Sequence, residues 1–122
     1  MNEADTRAEF IDKQLEAAGW ITSAETGVRV RREYNINAGE IRSSGIRTGQ
    51  LKADYILEYK NTKLAVVEAK SNELDVSEGV AQAKLYAQKL RLKTSFAANG
   101  KAIYEINHVN GTEGEVDAFP SP

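Results

Sequence analysis

The sequence predicts an α/β fold in which a mixed β-sheet is flanked by helices, in the order α-β-β-β-α-β-β. Two observations support this prediction. Amphipathic helical segments precede and follow a block of strand-like runs, and the central runs 53–59 and 63–70 are almost continuously apolar, as is typical of strands covered on both faces. A chain of 122 residues is long enough for one core, so residues 1–122 are expected to form a single domain.

The first predicted element is a helix from about residue 5 to residue 18. Its apolar residues recur on one side at helical spacing: Phe10, Ile11, Leu15 and Ala18. Thr6 and Glu9 fit a capping box at its start, and Gly19 fits the position just past its end.

Three predicted strands follow the first helix. Residues 28–36 alternate between apolar and mainly charged side chains, which predicts a strand with one basic face that carries Arg29 and Arg31. The stretch 37–49 is rich in glycine and serine and predicts a long exposed loop or a frayed hairpin. The strands 53–59 and 63–70 come next, with Asn61-Thr62 near their turn.

The second half of the chain predicts a helix over 75–92, which starts near Asp75. Strands at 94–98 and 102–106 follow, joined by Asn99-Gly100 as a two-residue turn. From residue 107 the chain is polar and turn-rich, and both prolines lie at its end. This ending predicts an exit toward another domain, so the chain is expected to be part of a larger multidomain protein.

Composition restricts the chemistry that the protein can perform. There is no cysteine, and His108 is the only histidine, which excludes thiolate sites, histidine-cluster zinc sites and Ser-His or Cys-His catalysis. A metal site must therefore use oxygen ligands, which favour Mg²⁺ or Mn²⁺. No signal peptide and no apolar run of transmembrane length is present, so a cytoplasmic protein without a membrane partner is expected.

The formal net charge of −2 conceals an uneven distribution. Residues 29–52 contain six basic and two acidic residues, and residues 84–101 contain five basic residues and no acidic one. If the two segments lie together, they form a surface that could hold a phosphate backbone. The alternative is that each segment is an ordinary solvated face.

Three charged residues stand at the ends of the two central strands. Asp54 opens the first strand, and Glu68 and Lys70 close the second. Because alternate residues of a strand share a face, Glu68 and Lys70 project together, and hairpin pairing brings Asp54 beside them. Two buried carboxylates are costly, and a divalent cation between them offsets that cost. The pattern predicts a metal site for phosphodiester hydrolysis; the alternative is a solvated strand end.

This metal site depends on the register of the hairpin. Directly opposed residues of an antiparallel pair share a face. Because 54 and 68 are both even, Asp54 and Glu68 share a face only if the residue numbers of each opposed pair add to an even sum. A two-residue turn at Asn61-Thr62 gives an odd sum and puts Asp54 on the opposite face. The hypothesis therefore predicts either a loop with an odd number of residues, such as 60–62, or a β-bulge, for example near Asp54.

The chain resembles the PD-(D/E)xK nuclease superfamily and, more narrowly, the amino-terminal nuclease domain of the R (restriction, or motor) subunit of type I restriction enzymes. The matching segments span almost the whole chain: 7–12, 18–20, 32–34, 53–55, 64–70, 79–86 and 114–120. The Asp…Glu-x-Lys pattern is degenerate, but the Gln-x-x-x-Tyr pair in the second helix is more discriminating. Ala53, where the superfamily motif has proline, is a departure that carries no chemistry.

The resemblance implies a restriction-endonuclease-like core in which Asp54 and Glu68 bind Mg²⁺ (or Mn²⁺) and Lys70 is the catalytic lysine. Gln82 and Tyr86 lie one helical turn apart, and in the wider family such a pair orients active-site groups and contacts DNA. The alternative for this pair is an exposed polar helix face. Glu9 is either an acid that supports the site from the first helix or only a capping residue.

The resemblance also implies a function, that of a type I site-specific deoxyribonuclease in restriction of foreign DNA. This domain would cleave double-stranded DNA without sequence preference, beside two ATP-driven translocase lobes of the same full-length chain. Methyltransferase and specificity subunits would recognise the target. No ATP-binding loop is present here. Alternatives are a RecB-like exonuclease, a junction resolvase, or a catalytically silent DNA-binding or docking module of the same fold.

Overall fold

The computed structural model of the protein describes residues 1–36 and 51–122. The loop or frayed hairpin predicted for 37–49 lies outside the described residues. In the described part of the chain, no helix is long and apolar enough to cross a membrane.

Six strands form one mixed sheet, in the spatial order β1-β2-β3-β4-β5-β6. They are β1 (Val28–Asn35), β2 (Lys52–Tyr59), β3 (Thr62–Ala69), β4 (Thr94–Ala98), β5 (Ile103–Asn107) and β6 (Glu113–Val116). β3 and β4 are parallel and all other neighbours are antiparallel. The mixed α/β sheet is confirmed. The predicted element order was wrong at its end, because β6 follows β5 where only a polar tail was expected.

A continuous helical segment, called here the N-terminal helix, precedes the sheet. It consists of α-helical Glu3–Thr6, π-helical Arg7–Ile11 and α-helical Asp12–Ala17. The capping box predicted at Thr6 was wrong, because the side chain of Asn2 caps the helix by accepting the Asp5 N–H at 2.7 Å. Gly19, with φ +101°, ends the helix as predicted.

The π-helical turn has a cause in the sequence. The buried side chains of this helix are Thr6, Ile11 and Leu15, so their spacing is first five residues and then four. Five residues match one π-helical turn and four match an α-helical turn. The Asp12 N–H accordingly donates to the carbonyl of Arg7. The π-helical turn therefore keeps the buried side chains of the helix on the side that faces the sheet.

The second helix, called here the crossover helix, joins the parallel strands β3 and β4, as parallel pairing requires. A 3₁₀ turn at Val76–Gly79 leads into the α-helix Val80–Leu90, and Asp75 caps the turn by accepting the Ser77 N–H at 2.9 Å. The predicted start at Asp75 is confirmed.

The two helices cover opposite faces of the sheet, as predicted. The N-terminal helix buries Ile11 and Leu15 against Tyr55, Val67 and Phe96 of one face. The crossover helix buries residues against the other face; the cluster there contains Ile36, Ala53, Ile56, Val66, Tyr86, Ala87 and Leu92. Ile56 of β2 and Val66 of β3 therefore face the crossover helix.

The β2–β3 hairpin is irregular, as the metal-site hypothesis required. Its turn consists of Lys60 and Asn61, both at positive φ, with Tyr59 opposite Thr62. Asn61-Thr62 was predicted to lie near the turn, and Asn61 is one of its two central residues. The register shifts between Leu57 and Glu58, and Leu64 is the extra residue of β3. This β-bulge changes the sum of the residue numbers of an opposed pair from odd, as in Glu58 with Lys63, to even, as in Leu57 with Ala65. The bulge is confirmed, although it lies near the turn rather than near Asp54.

The turn predicted at Asn99-Gly100 was wrong by one residue. Ala98 pairs with Ile103, and Asn99 N–H donates to the Ala102 carbonyl, which makes Gly100-Lys101 the centre of the β4–β5 turn. Near its end, the tail that was predicted to lead toward another domain packs against the core. Phe119 is buried against Phe96, and the indole N–H of Trp20 donates to the Pro120 carbonyl at 2.7 Å.

Candidate active site

Asp54 and Glu68 lie opposite each other at one end of the β2–β3 hairpin. The register that pairs Tyr55 with Val67 continues by one residue to place Asp54 opposite Glu68. Each carboxylate accepts a backbone N–H from the opposite strand: Glu68 Oε2 from Asp54 at 3.0 Å, and Asp54 Oδ2 from Ala69 at 2.8 Å. The hairpin thus fixes one oxygen of each carboxylate.

The two carboxylates carry an excess of negative charge in a buried place. Glu68 is buried, and burial, followed by the carboxylate of Asp54, raises its pKa to about 8. Burial also raises the pKa of Asp54. Desolvation and a like charge both disfavour a second ionised carboxylate. A bound cation would remove this penalty.

Lys70 lies beside the carboxylate pair, directly after β3. Its backbone N–H donates to the Ala98 carbonyl at 2.9 Å, which fixes its position against β4. Its ammonium opposes the burial-driven rise in the pKa of both Asp54 and Glu68. The side chain passes over Gly79, where an added Cβ would lie 3.3 Å from Lys70 Cγ. Asp54, Glu68 and Lys70 therefore share one cleft.

Gln82 and Tyr86 approach the same cleft from the crossover helix. Gln82 Nε2 donates to the Tyr86 hydroxyl at 2.8 Å. Burial raises the pKa of Tyr86, and the carboxylates of Glu68 and Asp54 raise it further. Tyr86 is buried, so the alternative of an exposed polar helix face does not apply to it.

The N-terminal helix contributes Glu3 and Arg7, which the sequence reasoning missed. Arg7 Nη1 lies 3.6 Å from Asp54 Oδ1. Burial and then the Asp54 carboxylate raise the pKa of Glu3. Glu9, the acid chosen from sequence, lies exposed on this helix, outside the cleft. The i, i+4 spacing of Glu3 and Arg7 was the available signal, and the capping box assigned to Thr6 concealed it.

The basic segments are partly neutralised by ion pairs. Arg31 Nε lies 3.3 Å from Glu58, Lys52 Nζ 3.8 Å from Glu33, and Lys84 Nζ 3.0 Å from Glu113. Arg42 and Arg47 lie outside the described residues. The two segments therefore present less free positive charge than their composition suggested.

The donor set of the cleft fits a small hard cation. Within residues 1–36 and 51–122, no three side chains among the acids and the histidine are grouped to hold a metal ion. Asp54 and Glu68 supply two carboxylates, and Mg²⁺ is usually bound through one or two carboxylates while it keeps several waters. The pair therefore suits Mg²⁺ better than a cation that needs a complete protein cage.

The mixed sheet with a helix on each face and an acidic cleft at one end of its central hairpin defines an α/β protein with a restriction-endonuclease-like fold. Residues 16–121 match the family model described as the second domain of the type I restriction enzyme EcoKI endonuclease subunit. The chain therefore belongs to this family of type I restriction enzyme endonuclease subunits, and the resemblance drawn from the sequence is confirmed.

Two individual proteins are similar to the whole chain. The type I restriction enzyme EcoAI endonuclease subunit of Escherichia coli is 29% identical over 133 residues, which cover 100% of this chain and 16% of that subunit. A solved fragment described as an HsdR subunit of a type I restriction enzyme from Vibrio vulnificus YJ016 superimposes with a TM-score of 0.86 at 33% identity. The match covers 100% of this chain and 24% of that fragment. The chain thus spans less than a quarter of the length of either protein.

Proposed function

We propose that this domain cleaves double-stranded DNA in a Mg²⁺-dependent and sequence-nonspecific manner, as the nuclease part of a type I restriction enzyme. The observation that carries the proposal is the opposed pair Asp54 and Glu68 with Lys70 beside it. Family membership supports a role in a type I endonuclease subunit. Motor domains of the full-length chain and the methyltransferase and specificity subunits would be its partners, and ATP would act only on the motor domains.

In this proposal Asp54 and Glu68 would hold the cation through their carboxylates. The cation would supply Lewis-acid charge to the phosphate and lower the pKa of a water. Lys70 places an ammonium where negative charge develops as water attacks phosphorus and the bond to the leaving oxygen breaks. A desolvated Lys70 that accepts the proton of that water is the second role compatible with this position.

Gln82 and Tyr86 have a supporting role in the proposed mechanism. Their mutual hydrogen bond fixes the Tyr86 hydroxyl near Glu68 and Asp54. In this role the two side chains would hold the crossover-helix side of the cleft in place around the reacting groups. Sequence-nonspecific cleavage is proposed because a separate specificity subunit would recognise the target, which leaves this domain only the phosphodiester backbone to recognise.

The test uses Asp54→Ala, Glu68→Ala and Lys70→Ala in the assembled restriction enzyme. Each variant is expected to lose DNA cleavage and to retain DNA-stimulated ATP hydrolysis, because the cleft contains no nucleotide-binding loop. Supercoiled plasmid cleavage and ATP turnover are measured on the same samples. Cleavage at the normal rate in any of the three folded variants, or loss of both activities, would contradict the proposal.

A further inference from the structure

Arg7 is the one basic side chain that enters the cleft from the N-terminal helix. Its guanidinium lies between two carboxylates of neighbouring strands: Nη2 is 3.2 Å from Glu33 Oε2 and Nη1 is 3.6 Å from Asp54 Oδ1. The side chain is only 19% exposed. An arginine that is held this deep beside a candidate catalytic carboxylate needs an explanation beyond surface solubility.

The contact between Arg7 and Asp54 is too long to be a strong hydrogen bond. Charge-assisted N–H···O⁻ bonds measure about 2.7–2.9 Å, whereas this separation is 3.6 Å. A guanidinium carries five N–H donors in a planar fork. Among the described residues, its one hydrogen bond to a side chain is that to Glu33. The Arg7 guanidinium therefore still has N–H donors available on the side that faces the cleft.

Glu33 holds Arg7 at the cost of backbone strain. Glu33 adopts φ +49° inside β1, and it lies opposite Asp54 in the β1–β2 register. A left-handed conformation costs a residue other than glycine about 1–2 kcal/mol. The strained residue places its carboxylate between Arg7 and Lys52. Strain of this kind concentrates at functional sites.

The π-helical turn begins at Arg7 itself. It allows Ile11 and Leu15 to fill the core on one face while Glu3 and Arg7, one turn earlier, face the cleft. Phosphate is the ligand that suits such an arginine, because the planar fork binds two of its oxygens at once.

We propose that Arg7 is a phosphate-binding residue of the active site, which contacts non-bridging oxygens of the DNA strand being cut while Glu33 positions it. This inference rests on the proposed nuclease function. Lys70 then provides a point charge on one side of the phosphate and Arg7 a bidentate contact on the other. Arg7 lowers the energy of the transition state by binding the added negative charge of the phosphoryl oxygens.

The first measurement is binding of a short DNA duplex to the metal-free protein, followed by fluorescence anisotropy over a range of salt concentrations. Each lost phosphate contact reduces the slope of log K against log salt by about 0.9. Arg7→Ala is expected to show this reduction, and Arg7→Lys to retain the slope because it keeps the charge. The matched control is Arg32→Ala, since Arg32 is also paired to a carboxylate, Asp12 at 3.0 Å, but among the described residues it forms no ion pair with Asp54.

The second measurement is DNA cleavage in the assembled enzyme. Arg7→Ala is expected to lose cleavage by about a hundredfold, Arg7→Lys to recover it in part, and added guanidinium ion to rescue the alanine variant. Arg32→Ala is expected to cleave normally. If Arg7→Ala does not fold, as judged by circular dichroism, Arg7→Lys alone carries the test, because loss of the fork should still reduce its cleavage rate.

The outcomes separate this inference from the proposed function. Cleavage that survives Glu68→Ala would overturn the nuclease assignment, and the Arg7 proposal with it. Loss of cleavage in Glu68→Ala together with normal DNA affinity, salt slope and cleavage in Arg7→Ala would overturn the Arg7 proposal alone.

Discussion

Strand β2 carries two carboxylates on one face, four residues apart, and the neighbouring side chains differ in charge. The side chain of Glu58 is only 5% exposed, and it lies 3.3 Å from Arg31 Nε and 4.0 Å from Lys63 Nζ. Asp54 faces a second carboxylate, Glu68, across the hairpin. Glu58 is an acid between two cations, whereas Asp54 is an acid beside another acid, with Arg7 and Lys70 nearby.

The β-bulge at Leu64 produces this difference. On the turn side of the bulge, Glu58 pairs with Lys63, and on the far side Leu57 pairs with Ala65. Without the extra residue, Asp54 would lie opposite Val67 and the carboxylates would occupy different faces. The comparison shows that burial does not by itself mark a functional acid. The informative feature is that two carboxylates are held close together where burial disfavours the charge of both.

The largest expected effect is the loss of catalysis in Glu68→Gln. Removing a cation ligand costs several kcal/mol of charge stabilisation, which corresponds to a decrease in cleavage rate on the order of a thousandfold. Glu58→Gln is the matched control and should cleave within about threefold of the wild type, since it changes less than about 1 kcal/mol of activation energy. Equal losses in the two variants would remove the distinction between the two carboxylates.

A second prediction concerns stability against pH in metal-free buffer. Because burial and then Asp54 raise the pKa of Glu68 to about 8, the folded state binds this proton more tightly than the unfolded state. The free energy of unfolding should therefore fall as pH rises from about 5 to 9, by an amount on the order of a few kcal/mol. Urea denaturation at several pH values measures this decrease.

Glu68→Gln should flatten this pH dependence and unfold at higher urea than the wild type at pH 9. Mg²⁺ should stabilise the wild type at high pH and leave the variant unaffected, because a ligand stabilises only the state that binds it. Stability of the wild type that increases with pH over this range would contradict the assignment of a raised pKa to Glu68.

The third prediction tests the neutralised acid. Glu58→Gln should destabilise the protein by about 2 kcal/mol, because it leaves two cations without their partner. The effect should lie below that of a fully buried pair, since Arg31 and Lys63 are each about one-third exposed. Thermal unfolding measures the change. We expect Glu58→Gln to lose stability and keep cleavage activity, and Glu68→Gln to lose cleavage activity and keep stability.

The smallest expected effect is that of Gly79→Ala. The added Cβ would lie 3.3 Å from Lys70 Cγ and 3.4 Å from Ala97 Cβ, so the lysine must shift by a few tenths of an ångström. Such a displacement should reduce cleavage by about tenfold or less, because reaction rates depend steeply on the position of catalytic groups. Stability should stay constant or rise, since alanine is favoured over glycine in a helical turn. A normal cleavage rate would show that Lys70 tolerates the displacement.

Much of this arrangement could be predicted from sequence, and the failures have physical causes. The even numbering of Asp54 and Glu68 was enough to require an irregular hairpin, because side chains alternate along a strand. The position of the bulge was not predictable, since several residues between Asp54 and the turn could have been the extra one. The sixth strand has the sequence Glu-Gly-Glu-Val and is largely exposed, so it lacks the apolar alternation that identifies strands.

The N-terminal helix illustrates a second limit of sequence reasoning. Asn2 and Thr6 are both good capping residues, and only the structure shows that Thr6 is buried with its hydroxyl bonded to the Asn2 carbonyl and the Asn72 N–H. Choosing Thr6 placed the predicted cap four residues, about one turn, after the observed cap at Asn2. The candidate acid then became Glu9 instead of Glu3, and Arg7 was taken for part of a cap.

The connection between β3 and β4 has a consequence for the order in which the site forms during folding. Asp54 and Glu68 meet through a hairpin whose turn has two residues, a local pairing that closes on a timescale of about 1–10 μs. Lys70 gains its position only when its N–H reaches the Ala98 carbonyl, after the crossover helix has brought β4 alongside β3. Such non-local pairing forms slowly because loop closure comes first. The acidic half of the site is therefore expected to assemble before its lysine, so a nascent chain carries the carboxylate pair before it is competent to cleave.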